Sequence, residues 1–195
     1  IAIGFLAAVW LGSRRSKKRG LDFDEVFSAT FWAIVLGVVG AKLLFILTMI
    51  PEMGRLPTWQ ELLNMIGTGF VFYGGLIGAL IGLWIGCRRH RFNMLDITDL
   101  LAPSLTLAHG FGRIGCFMAG CCYGVSVPWG VTYQCAISAP NGVPLLPVQL
   151  WEAGAELVIF AFLLWYAGRA AGPGQMLRAY VFCYAPVRFV LEWFR

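Results

Sequence analysis

Residues 28–50 read SATFWAIVLGVVGAKLLFILTMI, with Lys42 the one charged side chain in the run. About 20 consecutive apolar residues are what a helix needs to cross the hydrocarbon core of a bilayer. The rest of the chain repeats the pattern. Apolar segments fall at about 1–12, 28–50, 67–86, 94–118, 148–168 and 175–194. They predict an all-α, polytopic membrane helical bundle of about six transmembrane segments. The first run is too short to span and has no initiator Met, so it reads as the remainder of a longer helix. A signal peptide fits poorly, because the basic stretch follows the apolar one instead of preceding it.

Between the segments lie the polar parts. SRRSKKRG at 13–20 and CRRHR at 87–91 are basic loops, and Arg169 follows the fifth segment. Basic short loops mark the cytoplasmic side. Alternation then puts residues 51–66, residues 119–147 and the C-terminus outside. Residues 51–66, with Trp59, Leu62 and Leu63, predict an interfacial arm. Residues 119–147, rich in Gly and Pro, predict a small extracytoplasmic head. No internal repeat is present, so residues 1–195 read as a single integral membrane domain. The net charge of +5 lies in these loops, and charged residues make up 13% of the chain, against roughly 25% in a soluble domain. A nucleic-acid partner is therefore not expected.

Ionisable groups at membrane depth are costly and mark function. His109 and Arg113 lie four residues apart on one face of the fourth segment, and Glu152 and Glu156 do the same on the fifth. Tyr184, Arg188 and Glu192 form a stripe on the sixth. Arg113, Arg188 and Glu192 all fall toward the outer ends of their segments, which predicts a common depth near the outer leaflet. Two guanidinium groups with a carboxylate suit a phospholipid phosphate. A structural ion pair, Arg113–Glu192 or Arg188–Glu192, explains the same residues, as do side chains snorkelling to the headgroups. In FYGGLIGALIG at 72–82, Gly78 and Gly82 fit helix packing. Packing accounts less well for Gly74 and Gly75 at the helix start.

These residues resemble the prolipoprotein diacylglyceryl transferase family. Its signature G-R-x-G-N-F-x-N-x-E-x-x-G aligns with Gly112-Arg113-Ile114-Gly115-Cys116-Phe117-Met118-Ala119-Gly120-Cys121-Cys122-Tyr123-Gly124. Its H-G-G-L-x-G aligns with Tyr73-Gly74-Gly75-Leu76-Ile77-Gly78, and its H-P-x-Q-L-Y-E with Leu146-Pro147-Val148-Gln149-Leu150-Trp151-Glu152. Gly40-Ala41-Lys42-Leu43 matches an early-helix motif, and Tyr184, Arg188 and the EWFR from Glu192 match the close. The order and spacing hold across nearly all of the chain. Members usually carry another helix after this arginine, so the resemblance implies a C-terminal truncation too.

The resemblance implies transfer of a diacylglyceryl group from phosphatidylglycerol to the lipobox cysteine thiol of a prolipoprotein, releasing glycerol phosphate, in a bacterial inner membrane with the active site toward the outer leaflet. The partners are phosphatidylglycerol, prolipoprotein signal peptides and membrane lipids, and no cofactor is implied. Arg113 and Arg188 are the expected phosphate-binding and leaving-group residues, with Tyr184 and Glu192 orienting them. Gly74 and Gly75 are expected to line the cavity. Gly124, Gln149 and Glu152 are carried over as substrate-binding positions.

The chain departs from the family's pattern at chemically important positions. Tyr73 stands where the family often has a histidine proposed as base; Cys116, Ala119 and Cys121 replace Asn, Asn and Glu; Leu146 replaces a second histidine. Three readings stay open. One is an active branch with a different base, either Tyr73 or His109; an unperturbed imidazole titrates near 6.5, a phenol near 10. Another is a degenerate paralogue that binds phospholipid without transfer. The third is chemistry by the cysteines themselves. Of the six cysteines, Cys121, Cys122 and Cys135 fall in the head, where a disulfide from Cys135 to Cys121 or Cys122 is plausible. His109, Cys116, Cys121 and Cys122 do not follow a recognised zinc spacing, and no metal site is expected.

Overall fold

The protein is described by a computed structural model covering residues 2–53, 57–61, 65, 69–169 and 172–195. The elements run α1 (Ala2–Lys18), α2 (Phe23–Met53), α3 (Phe72–His90), α4 (Met94–Ala119), β1 (Ser126–Thr132), β2 (Pro144–Leu145), α5 (Val148–Tyr166) and α6 (Gln175–Glu192). They group into two compact units, residues 20–97 and residues 1–19 with 98–195. Among the described residues, two helices are long and apolar enough to cross a membrane, α2 over Phe23–Pro51 and α5 over Val148–Tyr166.

In the unit of residues 20–97, α2 and α3 pack backbone to backbone. Gly74, Gly78, Gly82 and Gly86 recur every fourth residue, so they form one stripe along α3, and all four are buried. A Cβ on Gly78 would collide with the carbonyl of Leu36, one on Gly82 with that of Trp32, and one on Gly74 with that of Gly40. Small residues are what allow two helices to approach this closely. The faces turned away carry Phe31, Val38 and Leu47 on α2 and Ile77, Leu80 and Trp84 on α3, all exposed. Such a surface is costly in water and matches hydrocarbon.

Lys42 is held within the same unit. Its Nζ donates to the carbonyls of Met65 at 3.1 Å and Gly69 at 2.7 Å and lies 4.1 Å from the centre of the Phe70 ring. Within residues 51–66, Thr58 is capped by Glu61, whose Oε2 accepts from the Thr58 amide at 2.8 Å, and Trp59 is exposed. The predicted arm residues Leu62 and Leu63 lie outside the described residues.

In the other unit, α1 continues through Lys18, so the first basic stretch is largely helix, where a loop is expected from the sequence. Lys and Arg are good helix formers and favourable at a C-terminus, and Ser16 donates to the Gly12 carbonyl at 2.7 Å. Arg15 Nε bonds the Leu100 carbonyl at 3.0 Å, and Gly4 packs on Phe111, which ties α1 to α4.

The head contains strand as well as loop, which corrects the all-α reading. β1 and β2 pair antiparallel, with Ser126 and Val131 both opposite Leu145 and an irregularity between them. Gly130 sits where a side chain would strike the Leu145 backbone. Behind the hairpin, Leu146, Val148 and Leu191 form a buried apolar cluster. Neither disulfide considered from the sequence, Cys135 to Cys121 or to Cys122, forms, since all six cysteines are free thiols and Cys135 is exposed.

Candidate active site

Three helices each contribute two polar side chains four residues apart. On α4 these are His109 and Arg113, on α5 Glu152 and Glu156, and on α6 Tyr180 and Tyr184. Residues four apart stack along one helix face, about 5.4 Å per turn. The α5 pair meets the other two in reverse order, which makes α5 antiparallel to them and produces two rungs.

The first rung joins Arg113, Glu152 and Tyr184. Glu152 Oε1 accepts from Arg113 Nη2 at 3.0 Å and from the Tyr184 hydroxyl at 2.8 Å, and Glu152 is 2% exposed. The second rung joins His109, Glu156 and Tyr180. His109 Nδ1 lies 2.6 Å from Glu156 Oε1, and the Tyr180 hydroxyl donates to the same oxygen at 3.3 Å. A carboxylate can only accept, so Nδ1 carries the hydrogen in this pair. Nε2 then points toward the first rung, 3.9 Å from Glu152 Oε1. The Tyr180 and Tyr184 rings stack 5.6 Å apart, and His109 packs edge-on against Tyr184. Gly110 lets α4 and α5 come close, since a Cβ there would touch Glu156 Cβ at 3.4 Å.

Both carboxylates are buried, and buried carboxylates stay stable only when paired and hydrogen-bonded. The arrangement supplies these bonds to Oε1 of each carboxylate, leaves Glu156 Oε2 without a partner among the described residues, and leaves some donors over. Arg113 Nε and Arg188 Nη1 are buried nitrogens with no hydrogen-bond partner among the described residues. Arg188 lies one turn beyond Tyr184 on α6 and pairs through Nη2 with Glu192 Oε2 at 2.6 Å. Of the two ion pairs considered from sequence, Arg188–Glu192 forms. The carboxylate on Arg113 is Glu152, not Glu192.

The remaining sequence candidates separate by role. Gln149 Nε2 donates to the Cys121 carbonyl at 2.7 Å and anchors the head to the start of α5. Gly124 has no room for a side chain against Val148, Leu146 and Phe194, and its amide bonds the Leu146 carbonyl at 3.0 Å. Leu146, at a family histidine position, is core. Tyr73 and Gly75 lie in the other unit with Gly74. Tyr73 is 69% exposed and stacks edge-on with Phe72, and Gly75 lies beside Ala41. Gly74 has a clear packing role against Gly40. Sequence reasoning flagged Glu156 beside Glu152 without giving it a role, and it missed Tyr180. The signal for Tyr180 was present in the spacing, because it stands four residues before Tyr184.

A model of the prolipoprotein diacylglyceryl transferase family matches residues 1–195. A phosphatidylglycerol–prolipoprotein diacylglyceryl transferase of Clostridium tetani is 40% identical over 197 residues, covering 100% of this chain and 78% of the relative. A second such protein, from Clostridium perfringens, is 35% identical, with 100% and 76% covered. One from Dehalococcoides mccartyi is 33% identical over 204 residues, with 100% and 75% covered.

Proposed function

Because the chain belongs to the prolipoprotein diacylglyceryl transferase family, and so is a membrane-protein transferase, we propose that it moves the diacylglyceryl group of phosphatidylglycerol onto the lipobox cysteine of prolipoproteins. On this reading residues 1–195 are one domain of about six spans in a bacterial inner membrane, with the reaction at the outer leaflet. The observation that carries it is the pair of buried guanidinium nitrogens, Arg113 Nε and Arg188 Nη1, one turn apart in height and without acceptors among the described residues. An unsatisfied buried donor costs about 1–3 kcal/mol, more when charged. A phosphate oxygen at each removes that cost, and planar guanidinium matches phosphate geometry.

The reaction displaces phosphate at a glyceryl carbon. The thiolate sulfur forms a bond to that carbon, the carbon–oxygen bond to phosphate breaks, and glycerol phosphate leaves with the electron pair. Arg113 and Arg188 stabilise the charge that grows on the leaving oxygen. Tyr184 and Glu152 fix the Arg113 plane, Glu192 restrains Arg188, and Gln149 and Gly124 hold the adjoining head in place.

His109 takes the thiol proton at Nε2. The support is Glu156, which holds Nδ1 in the way that an orienting carboxylate holds a catalytic base. Tyr73, highly exposed, has no such orienting partner among the described residues and is the weaker base.

The test supplies phosphatidylglycerol and a lipobox peptide to the full-length protein in detergent and reads the peptide mass. A diacylglyceryl gain that disappears with Arg113→Ala is expected. No gain in the wild type, under conditions where a relative is active, would leave a paralogue that binds phospholipid without transfer.

A further inference from the structure

The end of α4 carries three thiols into one place, and the reason is local. Gly120 has a φ of 64°, its amide bonds the Phe117 carbonyl at 3.1 Å, and the Cys121 amide bonds the Cys116 carbonyl at 3.1 Å. This pair of bonds is a Schellman ending, which characteristically brings the side chain two positions past the helix onto the one five residues earlier. Here those side chains are Cys121 and Cys116. Cys122 follows with a φ of 56°, in the left-handed region that a non-glycine residue enters at a cost of roughly 1–2 kcal/mol. With Cys122 held there, the three Sγ atoms lie within 4.8 Å of one another.

We propose that Cys116, Cys121 and Cys122 form a trithiolate site for a thiophilic d10 cation of the Zn2+ class. Sulfurs around a tetrahedral zinc at about 2.3 Å stand ~3.8 Å apart, so the thiols need to close by no more than about an ångström. The fourth position is left to water or to an incoming ligand, as in zinc sites with three protein ligands. Desolvation by burial and the neighbouring Cys116 and Cys122 push the Cys121 thiol up to about 11, so a bound cation must displace protons. Once formed, the thiolates have a counter-charge close by, because Cys116 and Cys122 are near enough to Arg113 for their charges to interact. The Cys121 carbonyl is also pinned by Gln149 Nε2 at 2.7 Å, so the loop is anchored before any ion arrives. Cys135 and Cys87 take no part in the cluster. The site stands on its own geometry and does not depend on the transfer reaction.

The experiment uses the full-length protein in detergent, reduced and freed of metal. Cd2+ is titrated as the spectroscopic probe, and Zn2+ is used as competitor. The expected result is a thiolate-to-metal charge-transfer band that saturates at one ion per chain and is displaced by Zn2+. Cys116→Ser, Cys121→Ser and Cys122→Ser abolish it, while Cys135→Ser leaves it intact. A second readout needs no variant: bound Zn2+ protects Cys116, Cys121 and Cys122, but not Cys135, from alkylation mapped by mass spectrometry. A folded wild type that gives neither the band nor the protection overturns the proposal, as does a band that survives loss of Cys121.

Discussion

Arg113 and Glu152 form an ion pair across α4 and α5, with Nη2 3.0 Å from Oε1 and the carboxylate almost sealed from solvent. Glu152 is the pivot of its rung, because the same oxygen also takes the Tyr184 hydroxyl.

Removing one half of that pair strands the other. Glu152→Ala is expected to cost about 3–5 kcal/mol, the usual penalty for an uncompensated buried charge. Thermal unfolding in detergent measures it. The double variant Arg113→Met, Glu152→Leu is expected to recover most of the stability while remaining unable to transfer.

The two tyrosines differ in bond quality. Tyr184 donates at 2.8 Å and Tyr180 at 3.3 Å. A hydrogen bond to a charged group contributes about 1.5–3 kcal/mol, so Tyr184→Phe is expected to lower kcat/KM about 10- to 100-fold. Tyr180→Phe is expected to lower it less. Steady-state transfer rates for both variants check the order.

The glycine stripe of α3 predicts a sharp contrast between neighbours. Gly78→Ala drives a methyl into the Leu36 carbonyl, and overpacking of this kind costs about 1–3 kcal/mol. Gly75→Ala meets Ala41 Cβ at 3.4 Å, ordinary contact, and is expected to be tolerated. Expression level and melting temperature of the two variants make the comparison.

Much of this was legible in the sequence. The apolar runs located the helices, stopping six residues short on α1 and missing the starts of α2 and α3 by five, and the four-residue spacings marked the polar faces. What spacing cannot show is which faces meet. Glu152 and Glu156 stand out as a pair, yet their partners follow only once α5 is known to run antiparallel to α4, which sends Glu152 to Arg113 and Glu156 to His109. The hairpin was hidden because β2 is two residues long and its partner strand is Gly- and Pro-interrupted. The thiol cluster was hidden because it arises from a helix ending and a left-handed Cys122, not from a ligand spacing.

Cysteine chemistry gives a pH-dependent prediction on the metal-free protein. A thiol pushed up to about 11 stays protonated at neutral pH, and the thiolate is the reactive form. Alkylation of Cys121 is expected to be slow at pH 8 and to accelerate as pH approaches 11. Exposed Cys135 is expected to react first, as mass mapping of a timed iodoacetamide reaction would record.

The base is the most consequential assignment, and transfer rates of His109→Ala and Tyr73→Phe beside wild type test it most directly. His109→Ala is predicted to lose about 100-fold or more in kcat, the range of a general base, with Tyr73→Phe near wild type. An inactive Tyr73→Phe beside a fully active His109→Ala would contradict it and move the proton acceptor to Tyr73.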